Sequence, residues 1–416
     1  MQNSSNASTR RETAASSPPA AGNGSLKSKL FLVFVIVFIA ANLRTASIAV
    51  GPVIESIQAN LSLSGSAVGL LLTLPILCYG AFAPLAPKML RYTSAEHLIL
   101  VGCIIFAFGL VLRSLFGTFG LYSGTLIAGA GTSVVMVVLP AIIKKNFPDK
   151  AGMMMGFYST ALCLGATIAA AFTVPLENVP GSDWRWALGF WTLPLIVSIF
   201  MWVPYTKGQK PNTSRARSAS PRLRKCWLAW QVSLFMGIQS SIAYCVFGWL
   251  PVMLIERGMT ALAAGFILSI TLGVQLITSL TAPWIATRGK DQRATIAVML
   301  SMAVFGLMTT IYGSMSLMWL WATVLGLGLG GMFSIALSLL VLRAPTPQLA
   351  ASLSGMAQGV GYIVAAIGPV IVGLLHELTG GWDAVAVFYL ILVSGSCFFG
   401  MGAGRAKYVS SPDSDS

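Results

Sequence analysis

The chain has 416 residues, 56% hydrophobic and 9% charged, with a mean hydropathy of +0.80 and a formal net charge of +14. A soluble domain of that balance would leave too much apolar surface wet, so a membrane protein is expected. The six cysteines (Cys78, Cys103, Cys163, Cys226, Cys245, Cys397) lie mostly inside apolar runs without paired or metal-type spacing, so free thiols are expected and no metal or other cofactor is called for.

In chain order, residues 1–29 are rich in Ser, Asn and Ala and read as a disordered cytoplasmic tail. Six apolar runs of bilayer-crossing length follow within residues 30–205: Leu30 to Val53, Ala67 to Pro87, His97 to Leu115, Leu121 to Ile143, Gly152 to Leu176 and Trp184 to Tyr205. The first is too long for a signal-peptide core and is expected to stay. Residues 206–227 form a linker, with seven basic residues, Pro211 and Pro221 between Thr206 and Lys225. Residues 228–405 supply six more runs: Leu228 to Ile255, Leu262 to Ala286, Ala294 to Tyr312, Leu317 to Leu342, Ala350 to Leu375 and Val385 to Ala403. A polar cytoplasmic tail, 406–416, closes the chain.

The two sets of six are copies. At a constant offset of 199 residues Pro52 falls on Pro251, Ala83 on Ala282, Pro84 on Pro283, Gly129 on Gly328, Gly131 on Gly330, Lys144 on Arg343, Ala151 on Ala350 and Gly156 on Gly355. An ungapped repeat requires the same succession of helix and loop lengths twice. The expected fold is therefore an all-α polytopic membrane protein, with twelve transmembrane helices in two six-helix pseudo-repeats facing each other across a cavity.

Of the 26 Lys and Arg residues, 22 fall in the tails, in the linker and in loops on one side, the exceptions being Arg44, Arg113, Arg185 and Arg257. Short loops rich in these residues stay in the cytoplasm, which places both termini inside. The positive charge is thus a topology signal and nucleic acid is not needed as a partner.

An ionisable group at membrane depth is expensive and therefore informative. All twelve acids, with His97 and His376, fall in loops, tails or helix ends, so no carboxylate relay, histidine switch or enzyme-like constellation is expected at the midplane. Arg44 is the exception, about 21 Å along a straight first helix. It shares a face with Val37, Ala40, Ala41, Ile48 and Gly51, small enough for a substrate to approach, and a cavity-facing guanidinium selects an anion. The alternative is that Arg44 bonds helix-end carbonyls or reaches the far surface. Arg113, near the outer end of the third span, reads as structural or snorkelling.

The repeat counterpart of Arg44 is Ala243, and the matching seventh-helix face carries Met236, Gln239, Ser240 and Phe247, so an asymmetric pocket is expected. Tyr158, Gln275, Gln358 and Tyr362 are further substrate-site candidates; each reads equally well as interhelical hydrogen bonding. The glycines of the fourth and tenth spans, among them Gly129 and Gly328, sit between continuous apolar helix and are not phosphate loops, which excludes an ATPase of that type.

Several segments resemble the major facilitator superfamily, in its cyanate permease and 2-nitroimidazole transporter branch. They are Asn42-Leu43-Arg44 with Gly51-Pro52, Leu74-Pro75, Ala83-Pro84-Leu85-Ala86-Pro87, Leu139 to Lys144 with Phe147-Pro148, Gly248-Trp249-Leu250-Pro251, and Leu353 to Gln358 with Gly361-Tyr362. The resemblance implies the major facilitator fold, alternating access by rocking of two bundles, and contacts from the first, fourth, seventh and tenth helices. The chain departs from that pattern in two places. Gly80 to Arg91 lacks the acid of the usual loop signature, and the fifth span lacks the Gly-Pro-x-x-Gly-Gly antiporter motif.

The expected function is secondary active or facilitative transport of a small anionic or polarisable compound, cyanate-like or a small carboxylate, by a monomeric carrier in contact with membrane lipid in the bacterial inner membrane. Arg44, Tyr158, Gln239, Phe247, Gln275, Gln358 and Tyr362 form the expected site. Efflux of nitroimidazole-like or drug-like molecules is the alternative, with a channel or a transport-dead sensor behind it. An enzyme is not expected.

Overall fold

The computed structural model describes residues 26–209 and 223–409, so the expected disorder of the tails and most of the linker lies outside the described residues. Hydrocarbon offers a backbone no hydrogen-bond partner, and helices satisfy their own. Among the described residues every regular element is helical. The main helices of the first half are α1 (Leu26–Leu43), α2 (Gly65–Phe82), α3 (Ala95–Leu115), α4 (Gly117–Asn146), α5 (Ala151–Glu177) and α6 (Thr192–Thr206). The second half has α7 (Trp227–Glu256), α8 (Ala261–Ala286), α9 (Arg293–Tyr312), α10 (Met318–Leu342), α11 (Pro347–Thr379) and α12 (Asp383–Ala403). Among the described residues eleven spans are long and apolar enough to cross a membrane, and the first is shorter, Ser28–Leu43.

Helix ends recur at the sequence offset to within a few residues, but the first half is broken where the second is continuous. α2 stops at Phe82 and resumes as Leu85–Met89, whereas α8 runs through Pro283 to Ala286. A short helix, Trp184–Phe190, precedes α6, whereas α12 is uninterrupted.

The most consequential break is in the first span. A continuous helix from Leu30 to Val53 was expected; instead α1 ends at Leu43, and Thr45–Ile48, a 3-10 turn at Gly51–Val53 and Ile54–Leu61 follow as separate pieces. Side chains take up backbone groups there. Asn42 Nδ2 donates to Phe38 O at 2.8 Å and to Ser198 Oγ at 3.3 Å, and Thr45 Oγ1 donates to Asn42 O at 2.7 Å. Arg44 sits in the break, so a distance along a straight helix does not apply to it.

α4 and α10 form the packed interior of the two halves, buried along most of their length. α1 lies so close on α5 that a Cβ at Gly165 would overlap Ala41 O. The halves meet α2 against α11 and α5 against α8, toward the end at which α1 begins and α12 finishes, the terminus side. There Ala141 of α4, Ala350 and Ala351 of α11, and Ala344 form a small apolar cluster with Leu90 and Leu349 around it.

Of the two readings of Arg113, structural or snorkelling, the structure agrees with the first: its side chain is completely buried, and its backbone meets Gly124 of α4.

Candidate functional site

Arg44 reaches from the break in α1 to the other half of the molecule, where its guanidinium carbon lies 4.7 Å from the ring centroid of Phe333 in α10. A desolvated contact of this kind is worth about 2 kcal/mol. Among the described residues no carboxylate pairs with it. The ion pairs are Lys145 with Glu96, Arg185 with Asp183, Arg293 with Asp291, and His376 with Glu256, all at helix ends.

The groups in the electrostatic reach of Arg44 are Tyr79 of α2, Cys163 of α5, Tyr244 of α7, Tyr362 of α11 and Tyr158 of α5. Tyr79 and Tyr362 meet across the two halves, ring centroids 5.3 Å apart and ring planes tilted by 58°. The Tyr79 hydroxyl shares a short hydrogen bond with Ser47 Oγ, three residues past Arg44. Tyr244 meets Phe247 edge to face at 6.1 Å. The centre is thus one cation against a phenyl face, with phenols and a thiol in its electrostatic reach.

Of the seven expected site residues, the structure gathers Arg44, Tyr158 and Tyr362 around this centre. The hydroxyls of Tyr158 and Tyr362 are buried without a hydrogen-bond partner among the described residues. A buried polar group left unmade costs about 1–3 kcal/mol, which a ligand that bonds it recovers. Phe247 belongs to the wall through Tyr244. Gln239 is buried in α7, its Nε2 donating to Ser240 Oγ at 2.7 Å and Met236 O at 3.1 Å while its Oε1 has no partner. Gln275 is buried in α8 with its Nε2 unbonded, and its backbone lies against Gly330. Gln358 is used between the halves: its Nε2 donates to Met136 O of α4 at 3.2 Å and to Ser354 Oγ at 2.7 Å.

Phe333, Tyr79, Tyr244 and Ser47 were missed. Tyr244 follows Ala243, the repeat counterpart of Arg44, so the offset pointed within one residue of it. Phe333 sits at the repeat position of Val134, and nothing in its local sequence sets it apart from core.

The terminus-side closure is built from the repeat itself. In α11, a Cβ on Gly355 would lie 2.6 Å from Pro87 Cγ, and one on Gly359 would lie 2.9 Å from Pro84 Cγ. The related interface places Gly156 of α5 where a Cβ would be 2.9 Å from Leu280 O and 3.7 Å from Pro283 Cγ. Ser159 Oγ donates to Ser279 O across this second interface at 3.0 Å, and Cys163 Sγ contacts Ser279 Oγ at 3.7 Å. At the opposite end, hydrogen bonds among the described residues stay within one half: Trp184 Nε1 to Asn60 Oδ1 at 3.3 Å in the first, and Trp382 Nε1 to Glu256 Oε2 at 2.7 Å in the second. Among the described residues no group of His, Cys, Asp and Glu side chains could hold a metal ion.

A duplicated twelve-helix membrane bundle, closed at one end over a central cation, is the architecture of a membrane carrier. The chain belongs to the Major Facilitator Superfamily, whose family model matches residues 30–369. It is 35% identical to the "Uncharacterized transporter YycB" of Bacillus subtilis (strain 168), over 91% of this chain and 94% of that one. It is 32% identical to the "2-nitroimidazole transporter" of Escherichia coli (strain K12), over 92% of this chain and 98% of that one. The "Cyanate transport protein CynX" of the same organism is 29% identical over 88% of this chain and 94% of its own. The crystal structure of the E. coli fucose:proton symporter FucP shares the fold, with a TM-score of 0.71 and 15% identity, covering 91% of this chain and 99% of that chain. The chain is thus a multi-pass membrane transporter of small molecules and not an enzyme.

Proposed function

We propose that the protein carries a small anionic compound across the bacterial inner membrane by alternating access, with Arg44 as its main electrostatic contact. The observation that carries this reading is Arg44 itself, placed in a helix break, set against the ring face of Phe333 and paired with no carboxylate among the described residues. A guanidinium in such a place is stable when an anion completes it. Both termini lie in the cytoplasm on the positive-inside rule, so the closed end is the cytoplasmic one and the substrate enters or leaves from outside. One copy of the duplicated chain forms the whole site and works as a monomer. The two bundles, residues 30–205 and 228–405, rock as units about the linker.

A second reading, export of a neutral nitroheteroaromatic, draws on the phenols in the electrostatic reach of Arg44 and on the relative named for 2-nitroimidazole. There Arg44 bonds a nitro oxygen, and aromatic contact supplies most of the affinity.

Uptake and counterflow in proteoliposomes with cyanate, small carboxylates and 2-nitroimidazole separate the two. Saturable, Arg44-dependent movement of the anions is expected. Movement of the nitroimidazole with no competition from any anion would select the second reading.

A further inference from the structure

The Arg44 guanidinium carbon lies over the face of the Phe333 ring, 4.7 Å from its centroid, and a guanidinium donates hydrogen bonds only within its own plane. The edge that remains is a flat fork, and its best partner is a pair of coplanar oxygens on one atom. Rings lie within the electrostatic reach of Arg44 in two contacting pairs: Tyr79 with Tyr362, and Tyr244 with Phe247 behind it. Ring faces reward a flat partner that stacks and give a puckered one only partial contact. Two buried hydroxyls, of Tyr158 and Tyr362, have no hydrogen-bond partner among the described residues. A single small anion such as acetate has no group left for them once Arg44 holds its carboxylate.

We infer that the substrate is a planar conjugated anion, a ring bearing a coplanar carboxylate, held by the in-plane edge of Arg44, flanked by Tyr79, Tyr244 and Tyr362, and read at ring substituents by the Tyr158 and Tyr362 hydroxyls. The inference rests on Arg44 being the anion contact and adds the shape of the anion. Phe333 is a positioning residue in it: its ring face lies against the guanidinium carbon and closes one side of Arg44 to an approaching anion.

The test is equilibrium binding to the purified full-length protein, by calorimetry, with benzoate, cyclohexanecarboxylate and acetate as probes of equal charge. Benzoate is expected to bind about tenfold more tightly than either of the others, since stacking and area both favour it. Phe333→Leu should reduce that preference several-fold, and Phe333→Tyr, which keeps the ring face, should retain it. Circular dichroism and a single elution volume establish that each variant is folded. Equal affinities for benzoate and cyclohexanecarboxylate, both lost in Arg44→Ala, would overturn the planar substrate and leave the anion contact standing. Benzoate binding unchanged in a folded Arg44→Ala variant would remove the anion contact and the inference with it.

Discussion

Gly355 and Pro87 touch across the two halves of the carrier, the missing Cβ of the first leaving room for the ring of the second at 2.6 Å. The repeat offset carries Gly355 onto Gly156 and Pro84, at the same interface, onto Pro283. Each half therefore contributes a glycine on one helix and a proline on another, and pseudo-symmetry makes the same closure twice. This explains how the terminus-side end closes although the loop from Gly80 to Arg91 contains no acid to form an ionic latch. Close packing of backbone on proline does the work of the missing charge.

Gly156→Leu and Gly355→Leu should accordingly hold the terminus-side end open. A leucine has no space at either interface, and the strain falls on the closed state alone, so the equilibrium shifts. Cys163, buried beside Ser279 at the second interface, reports it. Its labelling by a small aqueous maleimide, followed by mass spectrometry, should rise about tenfold or more in the variants. Labelling unchanged in both would show that these glycines are not closure contacts.

Arg44 makes the second prediction. Arg44→Ala should weaken anion binding roughly 10²-fold or more while the protein still inserts and folds, because a desolvated charge pair loses one partner. Arg44→Lys keeps the charge and loses the planar fork and the guanidinium contact with Phe333, and should cost about tenfold. Binding constants in detergent decide it, and equal affinities of wild type and Arg44→Ala would remove the site.

Much of this was legible in the sequence and some was not, for physical reasons. Eleven long spans with a shorter first one, and the duplication, follow from hydropathy and offset, and Arg44 stands out by the cost of a deep charge, all of which act locally or at fixed spacing. The break at Arg44 was not legible, because Leu43 and Thr45 are ordinary span residues and the strongest breaker, Pro52, lies eight residues on. Of the side-chain bonds at the break, those from Asn42 to Phe38 O and from Thr45 to Asn42 O are local, while the one from Asn42 to Ser198 of α6 spans 156 positions and could not be read from the span itself. Phe333 was not legible either, since an aromatic in a buried helix reads as core until the opposite half is placed against it. Gln358 was read for the substrate site, and in this conformation it bridges α11 to α4. A helix face predicts direction within one half but not which neighbour the other half brings.

Arg343 gives a stability prediction outside the site. It follows α10, is buried, and donates from Nε to Ala403 O at 2.8 Å and from a terminal nitrogen to Gly404 O at 3.3 Å, while its own carbonyl accepts from Val409 N at 2.9 Å. Burial pushes its guanidinium below the ordinary arginine range, with Tyr408 and Asp291 acting in the opposite direction. Its repeat counterpart is Lys144. Arg343→Ala should leave the Ala403 carbonyl unpaired, that of Gly404 keeping Gln292 N at 2.9 Å, and cost roughly 2 kcal/mol. A lowered thermal midpoint with substrate affinity unchanged is expected; an unchanged midpoint would show that other groups hold the end of α12.

The last prediction concerns energetics and follows from what surrounds Arg44. The acids in described ion pairs stand at helix ends, and the groups within electrostatic reach of Arg44 are phenols and a thiol. No dedicated protonatable carboxylate or histidine among these groups neutralises the guanidinium when the substrate leaves. With an anion bound, the centre is locally neutral and the loaded bundles can rock past each other at little electrostatic cost. The empty carrier has to close over an unpaired cation, which raises the barrier for its return. Exchange should therefore outrun net flux, by about tenfold if the empty return is about 1.4 kcal/mol harder. Counterflow and net uptake measured in the same vesicles decide the matter, with the pH gradient and membrane voltage set independently. Net uptake as fast as exchange, strictly dependent on a pH gradient and abolished by replacing a single acid such as Glu256, would show that a proton carrier serves Arg44 after all.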